Sequence, residues 1–302
     1  MQIRRDAVEV VIQAPAKLNL FFEVLAKRTD GYHEIETLMC PIDLYDTLVF
    51  REESSQRLEL ECQWGSSAGG PDCGGFDEVP RGPGNLVLRA AELVRQRTGT
   101  ARGARLRLIK RIPTAAGLGG GSSDAAAALV AANLGWGLGL SLPQLAAMAA
   151  ELGSDVPFFL IGGPAVCRGR GEKVEPVSGL GPLSFVVARP PEGLSTAAVY
   201  GDCRPADRPR CAAPLMESLR RGSPAETGRL LFNRLQPVAQ RLSPGVARLR
   251  ELLAKEDCLG HCMSGSGTAV FGLCRHAGQA RRIARRLGAN DVGFVVAVRS
   301  CR

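Results

Sequence analysis

The stretch that most constrains this chain is residues 112–127, IPTAAGLGGGSSDAAA. It follows Arg105-Leu106-Arg107-Leu108-Ile109, whose alternation suits a strand, and it precedes an alanine-rich run that suits a helix. Gly117, Gly119, Gly120 and Gly121 fall within five positions. Backbone without side chains turns tightly and brings bare N–H groups close to a ligand. Ser122, Ser123 and Asp124 offer N-cap groups for the helix. A strand, a glycine turn and a helix N-terminus together make a seat for a polyphosphate, because unpaired amides and the helix dipole both favour an anion. A glycine-rich surface turn is the competing reading. The stretch contains neither Gly-x-Gly-x-x-Gly nor the Gly-Lys-Ser/Thr ending of a Walker loop.

With 302 residues, 45% of them hydrophobic and 23% charged, the chain can bury a sizeable core in two modest domains or one large one. A net charge of +8 suits an anionic substrate, although pairs such as Arg281-Arg282 and Arg285-Arg286 read as a solvated helix face. Three tyrosines, two tryptophans and no basic–aromatic interleaving argue against a nucleic-acid surface. Residues 125–150 carry no charge, but Asn133, Gly135, Gly137, Gly139 and Pro143 divide them into two buried helices rather than one membrane span. Residues 1–11 have mixed charge rather than the pattern of an export leader, so a cytoplasmic location without membrane or nucleic-acid partners is expected. The ten cysteines include no Cys-x-x-Cys pair, and they read as reduced small hydrophobes rather than a disulfide or zinc framework.

In chain order, residues 8–13 read as a strand whose apolar run continues to Leu25 and breaks at the Asp30-Gly31 turn signal. Residues 38–50 and 57–62 suggest strands, and 65–84 a surface excursion rich in glycine and proline. Helices are expected over 85–98, 123–134 and 142–152, with Asp155 on a loop or at a short helix start before Pro157. A second region begins near 162–168. It holds a strand at 185–188, a connection over 192–200, helical pieces over 215–242 broken at 222–224, and an amphipathic helix at 246–254. Residues 261–267, 277–287 and 294–298 suggest strand, helix and strand. The pattern is α+β, without repeats.

Residues 14–20, 112–127 and 263–268 resemble, in the same order, the three motifs of the GHMP kinases, small-molecule kinases named after galactokinase, homoserine kinase, mevalonate kinase and phosphomevalonate kinase. Lys17-Leu18-Asn19-Leu20, Arg28-Thr29-Asp30-Gly31-Tyr32-His33 and residues 152–159 narrow the resemblance to a branch that phosphorylates a cytidine-diphosphate-linked alcohol. The resemblance implies a two-domain α+β protein. A ribosomal-S5-domain-2-like ATP-binding domain spans 1–165, and a ferredoxin-like substrate-binding domain spans 166–302. ATP and Mg²⁺ are the implied cofactors, no metal ligand is assigned, and no oligomeric state is implied. Another GHMP kinase and a non-catalytic nucleotide-binding regulator are the alternatives.

The same resemblance assigns roles. Asp155 deprotonates or orients the acceptor hydroxyl, and Lys17 aligns that hydroxyl and screens the transferring charge. Gly117, Leu118, Gly119, Gly120, Gly121, Ser122 and Ser123 cradle the phosphates, either serine being able to reach phosphate or Mg²⁺. Pro113, Lys110 and Asn85 belong to the nucleotide side. Lys110 shares its strand with ordinary basic residues, and Asn85 reads equally well as a helix N-cap. Asn19 positions the hydroxyl, or caps a turn. Tyr32 and Tyr200 resemble a pair that sandwiches a pyrimidine, and His33 a reader of the cytosine edge. Thr196 faces the substrate diphosphate, with Gly265 and Ser266 adding contacts. His276 is left as a surface or capping residue.

Overall fold

The computed structural model describes residues 1–6, 8–65, 80 and 82–301. Most of the excursion over 65–84 therefore lies outside the described residues. The chain opens with β1 (Gln2–Arg5), β2 (Glu9–Lys27), β3 (His33–Glu53), β4 (Leu58–Trp64), α1 (Leu86–Thr98) and β5 (Gly103–Lys110). Then come α2 (Gly120–Gly135), α3 (Leu142–Leu152), α4 (Val156–Ile161), β6 (Ala165–Gly169) and β7 (Lys173–Pro176). Strands β1-β2-β3-β5-β4 lie side by side, and β6 pairs with β3 and β7.

The first residues of β2 alternate, burying Val10, Ile12 and Ala14, whereas residues 14–24 are buried at every position before the strand emerges at its end. That change of period marks where the sheet passes from one covered face to two. Pro15 has no N–H for the ladder and sits at a register shift, Pro15/Ala16, where the strand bends. The β2–β3 turn falls at the expected place, with Gly31 at φ +84° and Arg28 N donating to Tyr32 O at 2.8 Å. Helix α2 packs Ala125 to Ala128 and Leu129 into the core, and small side chains bring it close to the sheet. A Cβ on Gly135 would lie 2.2 Å from the Phe50 ring.

The second unit contains β8 (Ser184–Arg189), α5 (Thr196–Gly201), α6 (Ala213–Arg220), α7 (Pro224–Leu230), β9 (Phe232–Asn233), α8 (Gln236–Leu242) and α9 (Pro244–Ala254). It ends with β10 (Gly260–Met263), β11 (Val270–Cys274), α10 (Ala277–Gly288) and β12 (Phe294–Arg299). Its sheet runs β10-β11-β8-β12, all antiparallel, so its first strand lies between its third and fourth. That order is ferredoxin-like. The arginine face of α10 is solvated as expected, with Arg282 paired to Asp257 at 3.1 Å while Ala280, Ile283 and Leu287 are buried. His276 caps α10 by accepting from Gln279 N.

Two expectations are corrected. Strand β11 lay outside the expected elements, and residues 261–267 are half strand and half turn, because β10 and β11 form a hairpin around the glycine turn. Helix α2 starts at Gly120, and its N-cap is Gly119 in the left-handed region rather than a serine or aspartate. The first sheet continues past residue 165, through β6 on β3 and β7 on β6. The units interlock, because β9 adds a parallel strand to β2 at Phe21 and Phe22.

Candidate active site

The start of α2, the β2–β3 hairpin and the second unit enclose a cleft of about 1120 Å³. Its centre is the glycine loop. Gly117 and Gly119 both take φ +72°, and a Cβ on Gly117 would sit 2.0 Å from the Ser264 carbonyl oxygen, so only glycine fits there. Four successive carbonyls of the loop are occupied by protein donors. Ala116 O accepts from Ala269 N at 3.0 Å and Gly117 O from the Ser264 hydroxyl at 2.9 Å. Leu118 O accepts from Lys17 N at 2.9 Å and Gly119 O from Ser123 N at 2.9 Å. With the carbonyls turned into the protein, the amides of Gly120, Gly121 and Ser122, in the first turn of α2, remain for a ligand. The loop is an anion seat by its backbone alone.

Beside it, Lys17 is 3% exposed and its ammonium lies 3.5 Å from Asp155 Oδ2. The ammonium also donates to Asn19 Oδ1, and Asn19 donates to Thr37, which donates on to Phe21 O. An ammonium has three donors, and this chain of bonds fixes its aim while leaving one for a ligand. Asp155 sits at the N-cap of α4 with no side-chain cap bond, so its carboxylate is not committed to the helix. A Cβ on Gly265 would be 3.2 Å from Lys17 Nζ, which shows how closely the late glycine turn approaches the pair.

Aromatic groups line the far side. His33 and Tyr200 stack at 5.0 Å between centroids and 31° between planes, and Phe22 meets Tyr200 edge-on at 6.5 Å. Burial, with the nearby Lys27 charge, lowers the His33 pKa. Burial and then the Asp155 charge raise that of Tyr200, which stays a phenol. Tyr32 is 52% exposed at the rim with the Arg170 guanidinium 4.8 Å from its ring centre. Thr196 Oγ1 and Ser266 Oγ hydrogen-bond to each other at 2.9 Å.

Lys17, Lys110, Pro113, Gly117 to Ser122, Asp155, Tyr32, His33, Thr196, Tyr200, Gly265 and Ser266 therefore share one cavity wall. Asn19 lies beneath Lys17 rather than at the wall. The Asn85 side chain is taken up inside the protein, accepting from Val87 N as the α1 cap and donating to Pro80 O at 2.7 Å. Ser123 is fully buried, because the helix turns its side chain away from the cleft. Of the two serines, only Ser122 reaches the cavity. Arg170, Lys27 and Arg204 also line it and were missed. The one local cue was Gly169-Arg170-Gly171, a cation between two glycines that take φ +73° and +121°.

Residues 85–163 match the GHMP kinases N terminal domain and residues 215–292 the GHMP kinases C terminal domain. The chain belongs to the GHMP kinases, and it is an ATP-dependent small-molecule kinase. Within that class it falls with the 4-diphosphocytidyl-2-C-methyl-D-erythritol kinases. It is 44% identical to the one from Pelotomaculum thermopropionicum over 94% of this chain and 95% of the relative. It is also 44% identical to the one from Symbiobacterium thermophilum, over 87% and 89%. A crystal structure of 4-(cytidine 5'-diphospho)-2C-methyl-D-erythritol kinase superposes with a TM-score of 0.79 at 38% identity, covering 97% of this chain and 99% of that one. Homoserine kinase from Cytophaga hutchinsonii shares the fold at 17% identity, with a TM-score of 0.73 over 99% and 96%.

Proposed function

We propose that this kinase transfers the γ-phosphate of ATP to the 2-hydroxyl of 4-diphosphocytidyl-2-C-methyl-D-erythritol, giving ADP and the 2-phosphate, a step of non-mevalonate isoprenoid precursor synthesis. The observation that carries it is the order of groups along one cleft: anion seat, Lys17–Asp155 pair, then the His33–Tyr200 stack. The amides of Gly120, Gly121 and Ser122 hold the nucleotide phosphates. Lys17 draws the acceptor oxygen into line and balances charge on the transferring group. As the new O–P bond forms and the bond to ADP breaks, Asp155 receives the hydroxyl proton. Tyr200 and Tyr32 offer ring faces to the cytosine, His33 offers an edge partner, and Thr196 and Ser266 face the diphosphate.

The donor set also bears on the metal. Among the described residues no three His, Cys, Asp or Glu side chains gather into a metal cluster. The two carboxylates behind the loop, Asp46 and Asp124, are bonded to Lys110. The cleft fits a Mg²⁺ carried on nucleotide phosphates, with the Ser122 hydroxyl as the protein group beside it. When bound, the ion neutralises phosphate charge.

The test is ADP release by the purified protein with this alcohol, followed by ³¹P NMR of the product. Phosphate on the 2-oxygen is expected. Turnover of homoserine or mevalonate with none of the cytidine compound overturns the assignment.

A further inference from the structure

Behind the anion seat lies a buried ion cluster with no role in the chemistry above. Lys110, at the end of β5, donates to Asp46 of β3 and, at 2.7 Å, to Asp124 of α2. All three are nearly or fully buried. The other oxygen of Asp46 accepts from the backbone amides of Arg111 and Ile112, the latter at 2.9 Å. Those amides are where β5 leaves the sheet to become the glycine loop. A Cβ on Gly120 would lie 3.2 Å from Lys110 Nζ, so the ammonium sits directly under the first turn of α2. One carboxylate thus grips the loop where it enters, and through one lysine also where it leaves.

We infer that Asp46 is a positioning residue for nucleotide binding: it fixes both ends of the glycine loop so that the loop amides are aimed before any ligand arrives. The inference rests on the loop being the ATP seat. Amides already in place need no ordering when the phosphates bind, so affinity rises without a new contact. Asp46 bonds to Lys110, Arg111 and Ile112 and does not line the cleft, so its effect is expected on the nucleotide side. Its two oxygens do separate work: Oδ1 holds the loop entry, and Oδ2 holds the lysine that sits under the loop exit.

The test compares Asp46→Ala, which loses both grips, with Asp46→Asn, whose amide oxygen can still accept from both loop amides while its NH2 gives up the bond from Lys110. Asp46→Ala is expected to raise KM for ATP and the Kd of a fluorescent ADP analogue roughly tenfold, with Asp46→Asn, which keeps the entry grip alone, falling between it and the unmutated protein. KM for the alcohol substrate is expected to stay within about twofold in both. Equal losses in the two variants, a parallel rise in both KM values, or unchanged ATP affinity in folded Asp46→Ala each overturn the inference. Hydrogen exchange on the unmutated protein keeps the test open if Asp46→Ala does not fold. The amides of Arg111 and Ile112 are expected to be protected without nucleotide, and fast exchange there overturns the inference. Failure of the unmutated protein to bind the ADP analogue sinks the ATP seat itself, which is a separate result.

Discussion

The Ser264 hydroxyl donates to the Gly117 carbonyl at 2.9 Å and accepts from Asn19 N at 3.2 Å, so one buried serine joins the three glycine-bearing and lysine-bearing motifs. The motifs stand far apart in the chain, yet they form one floor beneath the cleft. Asn233 holds the same turn from the other side, its amide donating to Met263 O and Gly265 O at 2.8 Å each. The site is therefore shared between units rather than owned by the first, and each unit's fold decides the other's catalytic geometry.

Replacing Ser264 by alanine removes both bonds and leaves a buried carbonyl without its donor. Such a loss costs about 1–3 kcal/mol. Because the bonds tie the nucleotide loop to the substrate turn, kcat/KM is expected to fall for both substrates together. Steady-state kinetics with each substrate varied in turn check this, and a loss confined to one substrate contradicts the bridging role.

Gly117→Ala places a Cβ against the Ser264 carbonyl at a left-handed backbone position. The strain is on the order of 1–3 kcal/mol before the clash is counted. A lower melting temperature and weak ADP binding are expected, measured by calorimetry and titration. A stable variant with normal nucleotide affinity contradicts the close approach.

Tyr200→Leu keeps bulk but loses the aromatic contact to His33, worth about 0.5–1.5 kcal/mol for such a pair. KM for the cytidine-bearing substrate is expected to rise a few-fold to tenfold, with KM for ATP unchanged. Initial rates across both substrate ranges decide it. A defect in ATP alone contradicts the placement of the cytidine half.

His33 gives the pH dependence. Its folded-state pKa lies below the ordinary imidazole value of 6.5, through burial and then the Lys27 charge. The folded protein thus binds fewer protons there than the unfolded chain. The stability of the neutral ring is present above that unfolded value and is lost as pH falls toward the folded pKa. KM for the cytidine substrate is expected to be flat from about pH 8 to about pH 6.5 and to rise below that. NMR titration of the ring gives the midpoint, and a value at or above the ordinary one contradicts the burial argument.

Much of this was legible in the sequence because it is local. The glycine loop, the Lys17 phrase and the turn at Asp30-Gly31 are runs of adjacent residues whose chemistry needs no distant partner to be read. Strand β11 escaped because Gly272 interrupts its short apolar run. The start of α2 was misplaced because side-chain capping was expected, whereas Gly119 leaves the first amides uncapped. Lys110 read as one basic residue among several because its carboxylates come from β3 and α2, and only the folded chain brings them together. Asn85 was assigned to the nucleotide by resemblance, yet its own capping chemistry takes it into the protein.

The central claim is that Lys17 and Asp155 together act on the acceptor oxygen. Single-turnover transfer by Asp155→Asn, measured alongside the binding of ATP and of the cytidine substrate, tests it most directly. The expected result is a transfer rate lower by about 10²–10⁴-fold, with both ligands bound nearly as in the unmutated enzyme. Transfer at the unmutated rate contradicts the claim.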